Sequence, residues 1–225
     1  MKKYKLTGET ITYGNLTLHR IRALRDFGDV EAGDLGGFIE SENNLAHEGD
    51  CWVSGNAQVY GNAHVWGNAW VYDWAHVSDD ARIFDDAQVY GNAHVSGNAR
   101  IFDDAQVYGE AEVFGDAVVC CDARVCGNAH VSGNARIFDD AHVCCDARVF
   151  GNAHVSGNVF GEAQVYDVAR VYRDARVGGE ARVCGEAKVC GGAEVYGGAQ
   201  VCGGAQVCGG AEVSGDARIR ATNAY

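Results

Sequence analysis

Three histidines, His76, His94 and His130, stand 18 residues apart or a multiple of that, and each is followed two places on by a serine, Ser78, Ser96 and Ser132. An imidazole beside a hydroxyl is the raw material of acyl transfer, but that chemistry also needs an orienting acid and an oxyanion hole. Nothing in the spacing supplies either. The set recurs with the repeat instead of standing alone, as a structural ladder would, and no catalytic residue is expected.

The same interval governs a second group. Arg82, Arg100 and Arg136 run beside Trp66, Phe84, Phe102 and Phe138, while Trp52, Trp70, Gln88, Gln106 and Arg124 run beside Tyr72, Tyr90 and Tyr108. Guanidinium groups next to aromatic rings suit phosphates, bases and protein surfaces. Three readings follow: the rings stack on one another within the chain, they join copies of it into a dimer or trimer, or they line a ligand groove. All four tryptophans fall between Trp52 and Trp74. They are read either as packing beneath an N-terminal cap or as a recognition hot spot.

The ten cysteines include three pairs 18 apart, Cys126/Cys144, Cys184/Cys202 and Cys190/Cys208. Free thiols are expected, because no secretion signal opens the chain and in-register parallel strands seldom offer disulfide geometry. A metal site around Cys126, Cys144 and Cys145 lacks any paired C-x-x-C spacing. Neither metal nor cofactor is expected.

What places these residues is a period of six. Hexads such as GNAQVY, DDARIF and GNAHVS run unbroken from Gly55 to Ser156, and again from Gly161 to Arg220. Between them lies a four-residue remnant, Gly157 to Phe160. The third residue is Ala in all 27 full hexads, and the fifth is always Val or Ile. Side chains two apart share one face of a strand, so Ala and Val point inward and the residues flanking Val point outward. Gly, Asn and Asp fill the first two places, where a corner needs left-handed backbone. Residues 76–93 and 94–111 nearly repeat each other, so three hexads make one triangular coil. The expected fold is all-β, a parallel β-solenoid of about ten coils stacked roughly 4.8 Å apart. Zero prolines fit strands that need every N–H for a neighbour.

The pattern Val-x-Gly-Asn-Ala-x resembles the hexapeptide repeat of left-handed parallel β-helices, best known from acyltransferases. That resemblance implies the left hand, and as the alternative function an acyltransferase with active sites between subunits. Such enzymes carry an extruded loop, however, and here the hexads are interrupted only by a deletion. Residues 1–48 read as a small β cap, with strands at Lys3–Leu6, Thr10–Tyr13 and Leu16–Leu24 and a hairpin turn at Gly14-Asn15. The stretch from Ala23 to Trp52 resembles the leader of uncharacterised hexapeptide-repeat proteins of bacteria and their phages. The solenoid is expected over 49–220, with a tail at 221–225 too short to cover its end.

A net charge of −13 excludes a general nucleic-acid binder and a protein held to anionic membranes. No 18-residue apolar run spans a bilayer, and no apolar segment follows the basic start, so a cytoplasmic location is expected. Ice binding would want rows of Thr on the coils, and every Thr lies outside the hexads. The Asp pairs at 79–80, 85–86, 103–104 and 139–140 sit at corners, which does not make an acidic face that mimics nucleic acid. The expected function is a non-enzymatic scaffold or binding protein, self-associating through an aromatic face. A phage-borne chain of this kind would block a host factor or sequester a nucleotide signal, with Arg on phosphate and Tyr or Phe on base.

Overall fold

The computed structural model describes residues 2–221, and among them hexad after hexad does the same thing: two residues turn, and the next four form one side of a triangle. Three parallel sheets result. One carries His76, His94 and His130 and is called the histidine face. The second, with Arg82, Arg100 and Arg136, is the arginine face, and the third, with Gln88, Gln106 and the tyrosines, is the tyrosine face. Partners are 18 residues apart and in register, as in His94 with His76, Arg100 with Arg82 and Gln88 with Gln106. The inward Ala and Val/Ile side chains form one continuous core and are almost all wholly buried. Corners use left-handed backbone, taken by Gly or by residues such as Asp79, Asp85 and Asp103. The β-solenoid of about ten coils is as expected; among the described residues no helix is long and apolar enough to cross a membrane.

The remnant at 157–160 is a missing corner. His154–Val155 ends one side on the arginine face, and Asn158–Val159 already pairs with His142–Val143 on the tyrosine face. Gly157 takes the Ala place, and it must be Gly: a Cβ there would lie 2.6 Å from the Ala175 carbonyl oxygen.

The cap differs from expectation in two ways. Its first strand is a single one, β1 (Tyr4–Tyr13), irregular between Leu6 and Thr10, paired antiparallel with β2 (Leu16–Ala23) through the Gly14-Asn15 turn. Further, the solenoid starts inside the leader. Strand β3 (Leu35–Ile39) pairs parallel with Gln58–Val59, Leu45 bridges Val65, and Trp52–Val53 pairs with Trp70–Val71. Residues 38–53 are thus a first, irregular coil. The expected start at 49 took in Trp52–Val53 but missed the earlier sides, because Leu45 and Val53 are eight apart instead of six.

A solenoid end exposes carbonyls with no coil above them. Two buried side chains answer this. Asn44 donates its amide to the Gly61 and Ala63 carbonyls at 3.0 and 2.9 Å. Lys3 donates to the Cys51 carbonyl at 2.7 Å and to the Cys51 thiol at 3.1 Å, and burial lowers its pKa. The reading of the far end as open falls on residues 222–225, which lie outside the described residues.

The expectation of free thiols is corrected for four cysteines. Cys184 is bonded to Cys202, and Cys190 to Cys208. Stacked strands hold the two pairs with Cα atoms 4.7 and 4.6 Å apart, inside the range a disulfide spans. Cys126 and Cys144 occupy the same kind of step but stay free, Cys126 lying 3.3 Å from the His142 ring.

Because solenoids open locally, reducing these bonds is expected to loosen the last coils alone, by about 3 kcal/mol per bridge. Amide exchange of Glu194–Val213 with and without reductant measures this; uniform acceleration along the whole chain would contradict it.

Candidate binding face

On the arginine face the rings form a pile. Trp66 lies parallel to Phe84 at 4.4 Å, and Phe84 to Phe102 at 4.9 Å. The tyrosine face has its own pile, Tyr72–Tyr90 at 4.8 Å and Tyr90–Tyr108 at 4.9 Å. The coil repeat equals a stacking distance, so each ring covers its neighbour's faces and leaves an edge to solvent. All these rings are half-buried, whereas Arg82, Arg100 and Arg136 are exposed. Phe138 stands apart from the pile, because Cys120 occupies the step between it and Phe102.

The four tryptophans separate into different roles. Trp52 is 2% exposed and packed edge-on against Phe27 and Tyr4, so of its two readings the one beneath the cap holds, and it leaves the outward column and the candidate binding residues. The cap covers it because β1, through Tyr4, and the segment between β2 and β3, through Phe27, close over that first coil. Trp66 and Trp70 are half-buried, and Trp74 projects from a corner at 59% exposed. Outward apolar surface also appears on the histidine face, at Phe114 (40%), which the sequence already shows interrupting that column, and at Phe150 (36%), which the sequence reading did not single out. Both break a run of serines, which was the available signal.

A cleft joins cap and arginine face. It has a volume of about 720 Å³ and is lined by Glu48, Asn62, His64, Trp66 and Arg82, with Ala46 at its head. Ala46 is where the next ring of the pile would stand: its N–H donates to the Val65 carbonyl at 2.9 Å, placing it directly over Trp66. One face of Trp66 is therefore covered by Phe84 and the other opens into the cleft. His64 leans on Trp66 at 5.2 Å, and its Nδ1 meets the Asn43 carbonyl oxygen. A carbonyl oxygen only accepts, so Nδ1 carries the proton in that contact. Sequence reasoning missed His64, since it belongs to no histidine column.

The histidine column behaves as a ladder. His76 and His94 stack at 4.9 Å, and burial first, then His94, lowers the His76 pKa. His130 does have a carboxylate, Glu112, at 3.0 Å from Nδ1. Both groups are well solvated, and no hydroxyl hydrogen-bonds the ring among the described residues, so the pair is a surface contact.

Against known proteins, a family model described as "YdcK Beta solenoid repeat" matches residues 57–73, 87–101 and 93–109. A protein of Escherichia coli (strain K12) named "Uncharacterized acetyltransferase YdcK" is 41% identical over 61 residues, which is 24% of this chain and 19% of that relative. The chain thus spans a small part of the relative's length, and the matched repeats are those that form the solenoid. It is a β-solenoid of hexapeptide repeats similar to YdcK-type repeats.

Replacing Trp52 by Ala is expected to cost about 3–5 kcal/mol, as for a buried Trp. Trp74→Ala should stay within about 0.5 kcal/mol, as at an open surface. Thermal melts of the two variants decide it, and equal losses would contradict the division of roles.

Proposed function

We propose that this β-solenoid is a non-enzymatic binding scaffold whose cleft takes a planar, anionic ligand of the nucleotide class. The observation that carries the reading is the open face of Trp66 beside the exposed Arg82 guanidinium. A base laid on Trp66 becomes the next ring of the pile, in the step that Ala46 leaves free, and Arg82 is placed for phosphate. The −13 charge of the whole chain argues against long nucleic acid and not against a small ligand at a local basic site. Lower on the same face, the ring edges of Phe84 and Phe102 between arginines suit contact with a second copy of the chain, as a dimer or trimer. A protein of this design works by sequestering: it would deplete a nucleotide signal or cover a host factor without turning anything over.

A second reading has one specific support. His64 lines the cleft with its ring oriented by a backbone carbonyl at Nδ1, as the ring of a general base is oriented. It would make the cleft an acyltransferase site, the activity named for the relative above.

Titration with mono- and dinucleotides should quench Trp66 emission. Trp66→Ala should weaken binding by about 1–3 kcal/mol, 5- to 150-fold, and Arg82→Ala should weaken the phosphate-bearing ligands selectively. Unchanged emission with every nucleotide, together with acetyl-CoA turnover lost in His64→Ala, would replace this reading by the second. For self-association, light scattering is expected to give a dimer or trimer that dissociates in Phe84→Asp/Phe102→Asp. A monomer in both cases would remove it.

A further inference from the structure

The arginine face repeats one hexad three times, RIFDDA at 82–87, 100–105 and 136–141, and in the coil between the last two it reads VVCCDA, 118–123. The changes have a common direction. Val118 replaces the stacked arginine between Arg100 and Arg136, so the basic column is broken there. Cys120 replaces the ring between Phe102 and Phe138. Cys121 replaces the first corner residue and holds a left-handed backbone (φ 62°), a conformation a cysteine side chain does nothing to favour. One coil thus gives up its cation and its aromatic and gains two thiols.

Those thiols converge with a carboxylate. Cys120 Sγ and Cys121 Sγ are 3.6 Å apart, close to the roughly 3.8 Å edge of a tetrahedron with 2.3 Å metal–sulfur bonds. Asp103 lies one coil earlier, held by the Cys121 N–H, which donates to its Oδ2 at 3.2 Å. One ligand atom from each of the three residues falls within 4.8 Å of the others, and all three are half-buried. On the next coil stands Asp139. Corner aspartates of this solenoid accept from the amide 18 residues on, as Asp73 does from Gly91 and Asp79 from Gly97. For Asp139 that corner is the one deleted after Ser156. The deletion opens a notch of about 470 Å³, lined by Cys121, Asp139, Asp140 and, at its far side, Arg173 and Asp174.

From this geometry we infer that Asp103, Cys120 and Cys121 form a site for a soft divalent cation of the zinc class, entered through the notch left by the missing corner. Three protein ligands leave a fourth position, which Asp139 or a water fills from the notch. Each thiol gives its proton to solvent as its Sγ bonds the metal, so binding one cation releases two protons. Cys144 and Cys145 provide a comparison within the chain: their sulfurs are 3.7 Å apart at another corner, but Gly127 stands where Asp103 stands in the first, and the nearby Cys126, which lies against the His142 ring, does not converge with both of them as Asp103 does with Cys120 and Cys121.

Titrating the full-length protein with Co²⁺ under anaerobic conditions tests the site. One equivalent should produce intense sulfur-to-cobalt absorption with the visible bands of tetrahedral Co²⁺, and Zn²⁺ should displace it. Cys120→Ser/Cys121→Ser should abolish the bands, and Cys144→Ser/Cys145→Ser should leave them intact. Asp103→Asn keeps both thiols and should weaken Co²⁺ by no less than the roughly tenfold that losing an outer-shell partner costs. Absence of the bands, their survival in Cys120→Ser/Cys121→Ser, their loss in Cys144→Ser/Cys145→Ser, or an unaltered affinity in Asp103→Asn would each overturn the assignment.

Discussion

The vertical backbone ladder is what the rest of this protein hangs on. Each coil donates its strand amides to the carbonyls of the next, as from His94 to Ala111 and from Arg100 to Ala117, both at 2.9 Å. Ladder bonds hold parallel strands a little under 5 Å apart, and everything outside the core inherits that step. Rings at equivalent places must stack, histidines must lie on histidines, and two cysteines at equivalent places fall within disulfide reach. The stacked aromatics are thus first a consequence of the ladder. Function enters where the pile stops.

It stops in two ways. At the cap, irregular chain puts Ala46 over Trp66, and a cleft opens beside Arg82. In mid-solenoid, a coil with Val118, Cys120 and Cys121 interrupts both the arginine and the aromatic columns, and two coils on a corner is missing. Both sites argued above lie where the repeat has been given up, one beside the irregular first coil and one at the missing corner.

The ends impose a different constraint. A coil with no neighbour leaves carbonyls unsatisfied, and burying them unpaired is costly. At the cap this is solved on the histidine face by the added strands β1 to β3, and elsewhere by two side chains, Asn44 and Lys3. At the other end the two disulfides tie the last coils, where the Ala and Val of the core begin to be exposed. These are opposite remedies for the same loss of cooperativity at the edge of a stack.

By itself the sequence determined the period, the inward Ala and Val, the three outward faces and which residues share each, because all of these follow from counting by six and by 18. It was silent on whatever breaks the count. The buried place of Trp52 depends on a leader that folds over the first coil with irregular spacing. The opening above Trp66 depends on Ala46, which lies outside the hexads, and the role of Gly157 depends on which two residues of a corner were lost. The bonds at Cys184 and Cys190 depend on side-chain directions at a Cα separation that spacing alone does not reveal. Repetition makes local geometry legible from letters, whereas an exception takes its meaning from the neighbour it lacks, and only the folded chain says which neighbour that is.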